Sequence, residues 1–172
     1  MANVWFTSDL HLGHKNIHKF RTDFESEEHH RAIIKENYHS VVTKRDKVFF
    51  LGDLAFTQEA LEDVSTWVAE RKVLILGNHC TDNISMQEIV KHFDEVHSLL
   101  KYKNMWLSHA PIHPAELRGK YCLHGHVHFA TLDDLRYFNC CLENTEYKPI
   151  DLNTVRQRLE SAALLRQEMN DN

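Results

Sequence analysis

Five short apolar runs punctuate the chain, and each ends on a polar or glycine-containing motif. Asn3 to Ser8 feeds Asp9, Lys47 to Leu51 feeds Gly52-Asp53, and Lys72 to Leu76 feeds Gly77-Asn78-His79. Met105 to Leu107 feeds Ser108-His109, and Tyr121 to Leu123 feeds His124-Gly125-His126. The runs are continuous rather than alternating, which suits strands covered on both faces. Helical spacing fills the gaps between them. Ile33, Ile34, Tyr38, Val41 and Val42 recur with that period, and Thr57 is placed to cap a helix carrying Leu61, Val64, Trp67 and Val68. Ser85 followed by Glu88 is a capping-box pattern ahead of Ile89, Val90 and Phe93. From about Leu152, the residues Val155, Leu159, Ala162 and Ala163 share a face and predict a closing helix. Leu135 to Leu142 and Tyr147 to Ile150 read as a late strand pair, and the polar, His-rich residues 14–31 read as a loop over the strand ends. No linker, repeat or low-complexity stretch interrupts this order. The expectation is one layered α/β domain over residues 1–172.

Composition narrows the function classes. The formal charge is −5 with no block of lysine or arginine, so non-specific nucleic-acid binding is not the default. Cys80, Cys122, Cys140 and Cys141 show no CxxC spacing, which predicts reduced thiols. No apolar run approaches the ~20 residues that span a bilayer, and Trp5-Phe6 lies too close to Asp9 to leave room for a signal peptide. A soluble, cytoplasmic protein is expected. The composition departs from the ordinary in its 14 histidines beside 5 glycines, dispersed with no run longer than His29-His30. An excess of that kind points to metal or proton chemistry, to be judged position by position.

The positions fall at the strand ends. In open α/β sheets, ligands bind outside the carboxyl ends of the strands. Five elements would deliver Asp9 and His11, Asp53, Asn78 and His79, His109, and His126 and His128 to one rim. In Asp9-x-His11 and His126-x-His128, residues i and i+2 of an extended segment point the same way, so both side chains can face one cavity. Singly, each motif has an ordinary explanation: an Asp after a strand caps a turn, and Gly-Asn is a common turn dipeptide. All five in sequence are hard to produce by structural need alone.

The ordered pattern Asp9-x-His11, Gly52-Asp53, Gly77-Asn78-His79, His109, Gly125-His126-x-His128 resembles the calcineurin-like metallophosphoesterase superfamily. Thr7 to Ile17, His109-Ala-Pro-Ile-His113 and Tyr147-Lys-Pro-Ile150 resemble a compact bacterial and phage branch of it. The resemblance implies a four-layer α/β/β/α fold with mixed sheets. It also implies a dinuclear centre, with Asp9, His11, Asp53 and His128 on one metal, Asp53, Asn78, His109 and His126 on the other, and Asp53 bridging. The implied reaction is phosphoester hydrolysis by in-line attack of a metal-bridging hydroxide, with His79 as acid or transition-state stabiliser near the leaving group. Imidazole in the donor set suits Mn, Fe, Zn or Ni over pure Mg or Ca. Mn²⁺ is the first expectation, on resemblance.

One position departs from the pattern. The superfamily usually carries Asp or Glu after Gly-Asn-His, and here Cys80 stands there. A thiol is a weak donor and acceptor, which leaves the orientation of His79 open, as it leaves open a softer role for Cys80 as a ligand. His14, Asn78 and Arg118 are candidates for contacting substrate, His14 being equally readable as a solvated loop residue and Arg118 more readily so; His124 reads as a support for a ligand. The expected partners are a small phosphate ester or nucleotide, with nucleic-acid ends as a further option, no membrane, and a homodimer left open. Phosphodiesters or small nucleotides are the first expectation. The alternatives are a phosphomonoesterase, a nucleotide pyrophosphatase, or a scaffold that keeps the fold without catalysis.

Overall fold

The computed structural model describes residues 2–170. The elements run β1 (Val4–Thr7), α1 (Ile17–Phe20), α2 (Glu27–Val41), β2 (Lys47–Phe50), α3 (Gln58–Ser65), β3 (Arg71–Ile75) and α4 (Met86–Ile89). They continue with β4 (Glu95–His97), β5 (Leu99–Tyr102), β6 (Met105–Ser108), β7 (Tyr121–His124), β8 (Tyr137–Asn139), β9 (Ile150–Asp151) and α5 (Leu152–Asn170). They form two mixed sheets, ordered β4-β3-β2-β1-β9 and β5-β6-β7-β8. The first is parallel from β1 to β4, with β9 antiparallel to β1. In the second, β6, β7 and β8 are parallel and β5 is the antiparallel edge.

Period-2 alternation explains how continuous apolar strands serve two cores. On one face of the first sheet, Val48, Phe50 and Leu74 pack with Ile34 and Tyr38 of α2 and with Ala60, Leu61 and Val64 of α3. On the other face, Phe6, Phe49, Leu51, Val73 and Ile75 meet Met105, Leu107, Leu123 and Phe138 of the second sheet. Leu152, Val155 and Leu159 bring α5 into this inter-sheet core. The helix starts follow the caps read from sequence. The hydroxyls of Thr57 and Ser85 accept from the backbone N–H groups of Ala60 and Glu88, and Ser26 does the same for His29 at the head of α2.

Three expectations are corrected. The late strand pair is not a pair: β8 joins β7 in the second sheet while β9 joins β1 in the first, with a 3₁₀ turn at Leu142–Asn144 between them. Residues 14–31 hold α1 and the start of α2 rather than loop alone. The edge strands β4 and β5 were not expected; they are three and four residues long. Their runs, Glu-Val-His and Leu-Leu-Lys-Tyr, are too short or too polar to read as continuous apolar strands.

Asp46 locks the entrance to β2. Its carboxylate accepts from the backbone N–H of Asn3 (2.7 Å) and Thr43 (2.8 Å), the Thr43 hydroxyl (3.0 Å) and Trp5 Nε1 (3.2 Å). Burial works to raise its pKa, and these four donors bring the net shift below the usual value. Its stabilising effect is therefore complete above the unfolded-chain carboxylate pKa of about 4 and fades as pH falls below it. Asp46→Ala is expected to cost about 2–4 kcal/mol in chemical denaturation at pH 7, because several donors lose a charged acceptor at once.

Candidate metal centre

The strand ends converge, and the backbone there takes an unusual form. Asp9, His11, Asp53, His126 and His128 all have φ between 47° and 71°. Left-handed conformations are uncommon outside glycine and cluster at functional sites because they carry strain. Five of the seven expected ligands share this feature, which turns each side chain off its strand and into the rim. Three glycines make room beside them. A Cβ at Gly77 would lie 2.2 Å from Asp53 Oδ1, one at Gly125 2.2 Å from Asp9 Oδ2, and one at Gly52 2.2 Å from His109 Nδ1.

Asp9 is fully buried. Its Oδ2 accepts from the Ser8 hydroxyl (2.6 Å), the backbone N–H of His126 (2.8 Å) and the Cys141 thiol (3.1 Å). Burial opposes its ionisation, but His11, Ser8, His109 and the His126 N–H together hold its carboxyl well below the usual range. Asp9 Oδ1 and His11 Nε2 are sequestered from solvent without hydrogen-bond partners. They lie 3.5 Å apart, and His128 Nε2 is 3.8 Å from the same Oδ1.

The second group is built around His109. Its Nδ1 lies 2.8 Å from the Leu51 carbonyl, which can only accept, so that nitrogen carries a proton and Nε2 is the atom left for the rim. Nε2 then faces Asn78 Oδ1 at 2.9 Å, Asp53 Oδ2 at 3.2 Å and His126 Nδ1 at 3.3 Å. Burial lowers the His109 pKa, but Asp53 and Asp9 outweigh it and the net shift is upward. Acceptors that converge in this way need a proton or a cation between them, and the spacing of both groups suits a divalent ion. Ligand atoms of Asp9, His11 and His128 lie within 4.8 Å of one another, as do those of Asp53, His109 and His126. Mixed nitrogen and oxygen donors of this kind suit a first-row transition metal.

Around these groups are residues that the sequence did not flag. His128 Nδ1 donates to Glu143 Oε1 at 2.9 Å, leaving Nε2 for the rim. Glu143 pairs with Arg21 at 2.8 Å, both side chains being almost fully buried. Arg21 also donates to the Asp9 carbonyl (2.5 Å), the Leu10 carbonyl (3.2 Å) and His30 Nε2 (2.9 Å). The ring of His30 is thereby explained as a neutral acceptor, its pKa pushed down to about 3 by burial and by Arg21. No spacing rule would have found this network, because Arg21 and Glu143 meet from opposite ends of the chain. A carboxylate behind a histidine ligand fixes its ring and raises its basicity. Glu143→Gln is expected to weaken metal binding by about 10- to 100-fold, measured by competition with a chromophoric chelator.

His79 Nδ1 contacts Asp82 Oδ2 at 2.7 Å. The carboxylate missing at position 80 is thus supplied two residues later. Cys80 is neither a support for His79 nor a ligand; its buried sulfur accepts from the Gly77 N–H at 3.2 Å and sits in the helix-side core. His79 also donates its backbone N–H to Asp53 Oδ1 (2.9 Å), which ties its loop to the second group. His14 lines the cavity beside His11 and His79. His124 is buried with Nδ1 2.9 Å from the Gly125 carbonyl, in the turn that leads to His126. Arg118 is not brought to the site: its exposed side chain pairs with Glu116 at 3.2 Å and lines none of the cavity with His11 and His79.

The fold and site together define a layered α/β protein with paired metal-ligand groups at the strand ends. The calcineurin-like phosphoesterase profile matches residues 2–166. The chain belongs to that family, whose chemistry is metal-dependent phosphoester hydrolysis. It is 42% identical over 84 residues to the gene 66 protein of Mycobacterium phage L5, a match covering 46% of this chain and 40% of that protein's length. It is 32% identical over 160 residues to the gene 66 protein of Mycobacterium phage D29, covering 74% and 79% of the two chains. A solved structure of a protein of unknown function from Aquifex aeolicus superposes with a TM-score of 0.71 at 25% identity, over 91% of this chain and 99% of that one.

Proposed function

We propose that this chain hydrolyses phosphodiesters or small nucleotides at two divalent cations. Asp9, His11 and His128 would hold one, Asn78, His109 and His126 the other, with Asp53 shared between them. The observation that carries the reading is the pair of acceptor clusters, above all the buried, unpartnered Asp9 Oδ1 and His11 Nε2. Bound there, the cations would supply Lewis acidity to the phosphate oxygens and lower the pKa of a water nucleophile. Mn²⁺ is the proposed metal, with Zn, Fe or Ni able to occupy the same donors.

The chain's own residues supply the rest. His79, fixed by Asp82 and 44% exposed at its side chain, is placed to give a proton to the leaving oxygen. Asn78 would turn its carbonyl oxygen to the second cation and its amide N–H to a phosphate oxygen. Glu143 and Arg21 keep His128 in one rotamer. All four cysteines are free and buried, which fits a reducing, cytoplasmic setting; no described helix is long and apolar enough to cross a membrane.

The test is hydrolysis of bis-p-nitrophenyl phosphate beside p-nitrophenyl phosphate, with Mn²⁺ and with EDTA. The expected result is Mn²⁺-dependent release of p-nitrophenolate, faster from the diester. Absence of turnover with every transition metal tried would instead favour a non-catalytic scaffold.

A further inference from the structure

Asp9 is held unevenly. Its Oδ1 has no hydrogen-bond partner, whereas three donors crowd Oδ2: the Ser8 hydroxyl (2.6 Å), the His126 N–H (2.8 Å) and the Cys141 thiol (3.1 Å). The three are not equivalent. Ser8 has a single proton for two acceptors, since the Leu51 carbonyl lies 2.7 Å from the same hydroxyl. Among the described residues, the thiol and the N–H donate to Oδ2 alone. A carboxylate oxygen offers about two lone pairs, so those two donors are enough to fill it.

The backbone holds Cys141 in place. It bridges Ser8 in parallel register just beyond β1 and β8, and its N–H donates to Asn139 Oδ1 at 2.9 Å. Asn139 in turn donates to the His128 carbonyl at 2.7 Å. None of these contacts uses the sulfur, so a change of side chain at position 141 leaves them intact. The sulfur also lies within 4.8 Å of ligand atoms of His128 and Glu143, which raises a competing role as a metal ligand. Arg21, 2.8 Å from Glu143, opposes it, because its charge would repel a cation placed among those three.

We infer that Cys141 is a positioning residue: its thiol, with the His126 N–H, commits Asp9 Oδ2 and leaves Oδ1 as the one oxygen that Asp9 offers to a cation. A carboxylate that binds through one oxygen takes one coordination position instead of two, which keeps room on the ion for water. The inference rests on the two-cation reading above and deepens it, since it assigns the residue that sets how Asp9 binds.

The experiment compares Mn²⁺ affinity in the unaltered full chain, Cys141→Ser, Cys141→Val and Cys141→Ala, by competition with a chromophoric chelator. Serine keeps a donor and loses volume, whereas valine keeps the bulk and loses the donor. Valine and alanine are expected to weaken binding by about 10-fold, the low end for a group that supports a metal ligand. Serine should restore most of that loss. Valine binding as tightly as the unaltered chain, or serine binding as weakly as valine, would reduce Cys141 to packing and overturn the inference. Equal affinity in all four proteins would do the same. A sulfur-to-cobalt charge-transfer absorption in the Co²⁺-loaded unaltered chain, lost in Cys141→Ser, would make Cys141 a ligand and overturn it as well. The same samples are assayed on bis-p-nitrophenyl phosphate. No turnover by the Mn²⁺-bound unaltered chain removes the phosphoesterase reading, while the order of affinities still decides the role of Cys141. An unaltered chain that binds no Mn²⁺ removes both.

Discussion

Asp53→Asn is expected to lower kcat/KM for a phosphodiester by roughly 10⁴-fold, with less than one full equivalent of the second metal retained. The residue is nearly fully buried, and its two oxygens have different duties. Oδ1 accepts the His79 N–H at 2.9 Å, and Oδ2 faces His109 at 3.2 Å. Asparagine preserves the shape and one acceptor but removes the charge that two cations would share under the proposed function. Metal-based charge stabilisation contributes several kcal/mol, and about 5 kcal/mol corresponds to that loss of rate. Far-ultraviolet circular dichroism should be unchanged, because the strand leading to Asp53 is anchored by Phe49, Phe50 and Leu51 in the two cores. An Asp53→Asn protein that binds two metals and turns over normally would remove Asp53 from the shared position.

His79→Asn is expected to separate catalysis from metal binding. The side chain belongs to neither ligand group, so metal content should stay at the unaltered level. Turnover should fall by about 10²–10⁴-fold, the range for loss of a positioned proton donor. The loss should be greatest for esters with poor leaving groups and small for p-nitrophenolate, which leaves without protonation. Asp82→Asn should give a milder version of the same pattern, since His79 would keep its ring but lose the carboxylate at 2.7 Å. If His79→Asn leaves the rate with an alkyl leaving group unchanged, the proton-donor role is wrong.

These two predictions also mark what could be read before folding. The candidate ligands at the strand ends were legible because each lies directly after a run such as Lys47 to Leu51, where position along the chain fixes position in space. Asp9, His11 and His128 come together in the structure, as do Asp53, Asn78, His109 and His126. The sequence could not show that five of these seven residues adopt left-handed backbone, since nothing in Asp-Leu-His or His-Val-His demands it. Asp82 was hidden for a simpler reason. The family pattern places an acid at position 80, whereas the turn after His79 brings the carboxylate back from three residues on. Arg21, Glu143 and Cys141 were invisible because their roles rest on contacts spanning 122 and 132 positions of chain.

The fold was legible to a similar depth. Five buried strands announce themselves through unbroken apolar runs, because both of their faces are covered. Edge strands are partly exposed and carry mixed residues, so β4 and β5 gave no signal of their own. The strand pairing of β8 and β9 could not be settled locally either. Both follow the loop that carries His126 and His128, and the 3₁₀ turn at Leu142–Asn144 lies where the chain passes from one sheet to the other.

The most direct test is a metal titration of the metal-free chain, with hydrolysis of bis-p-nitrophenyl phosphate followed at each addition. The account predicts that Mn²⁺ restores turnover along a curve that saturates at two equivalents per chain, and that the first equivalent alone restores little. Full activity at one equivalent, or turnover that persists after exhaustive chelation, would contradict a shared two-cation centre.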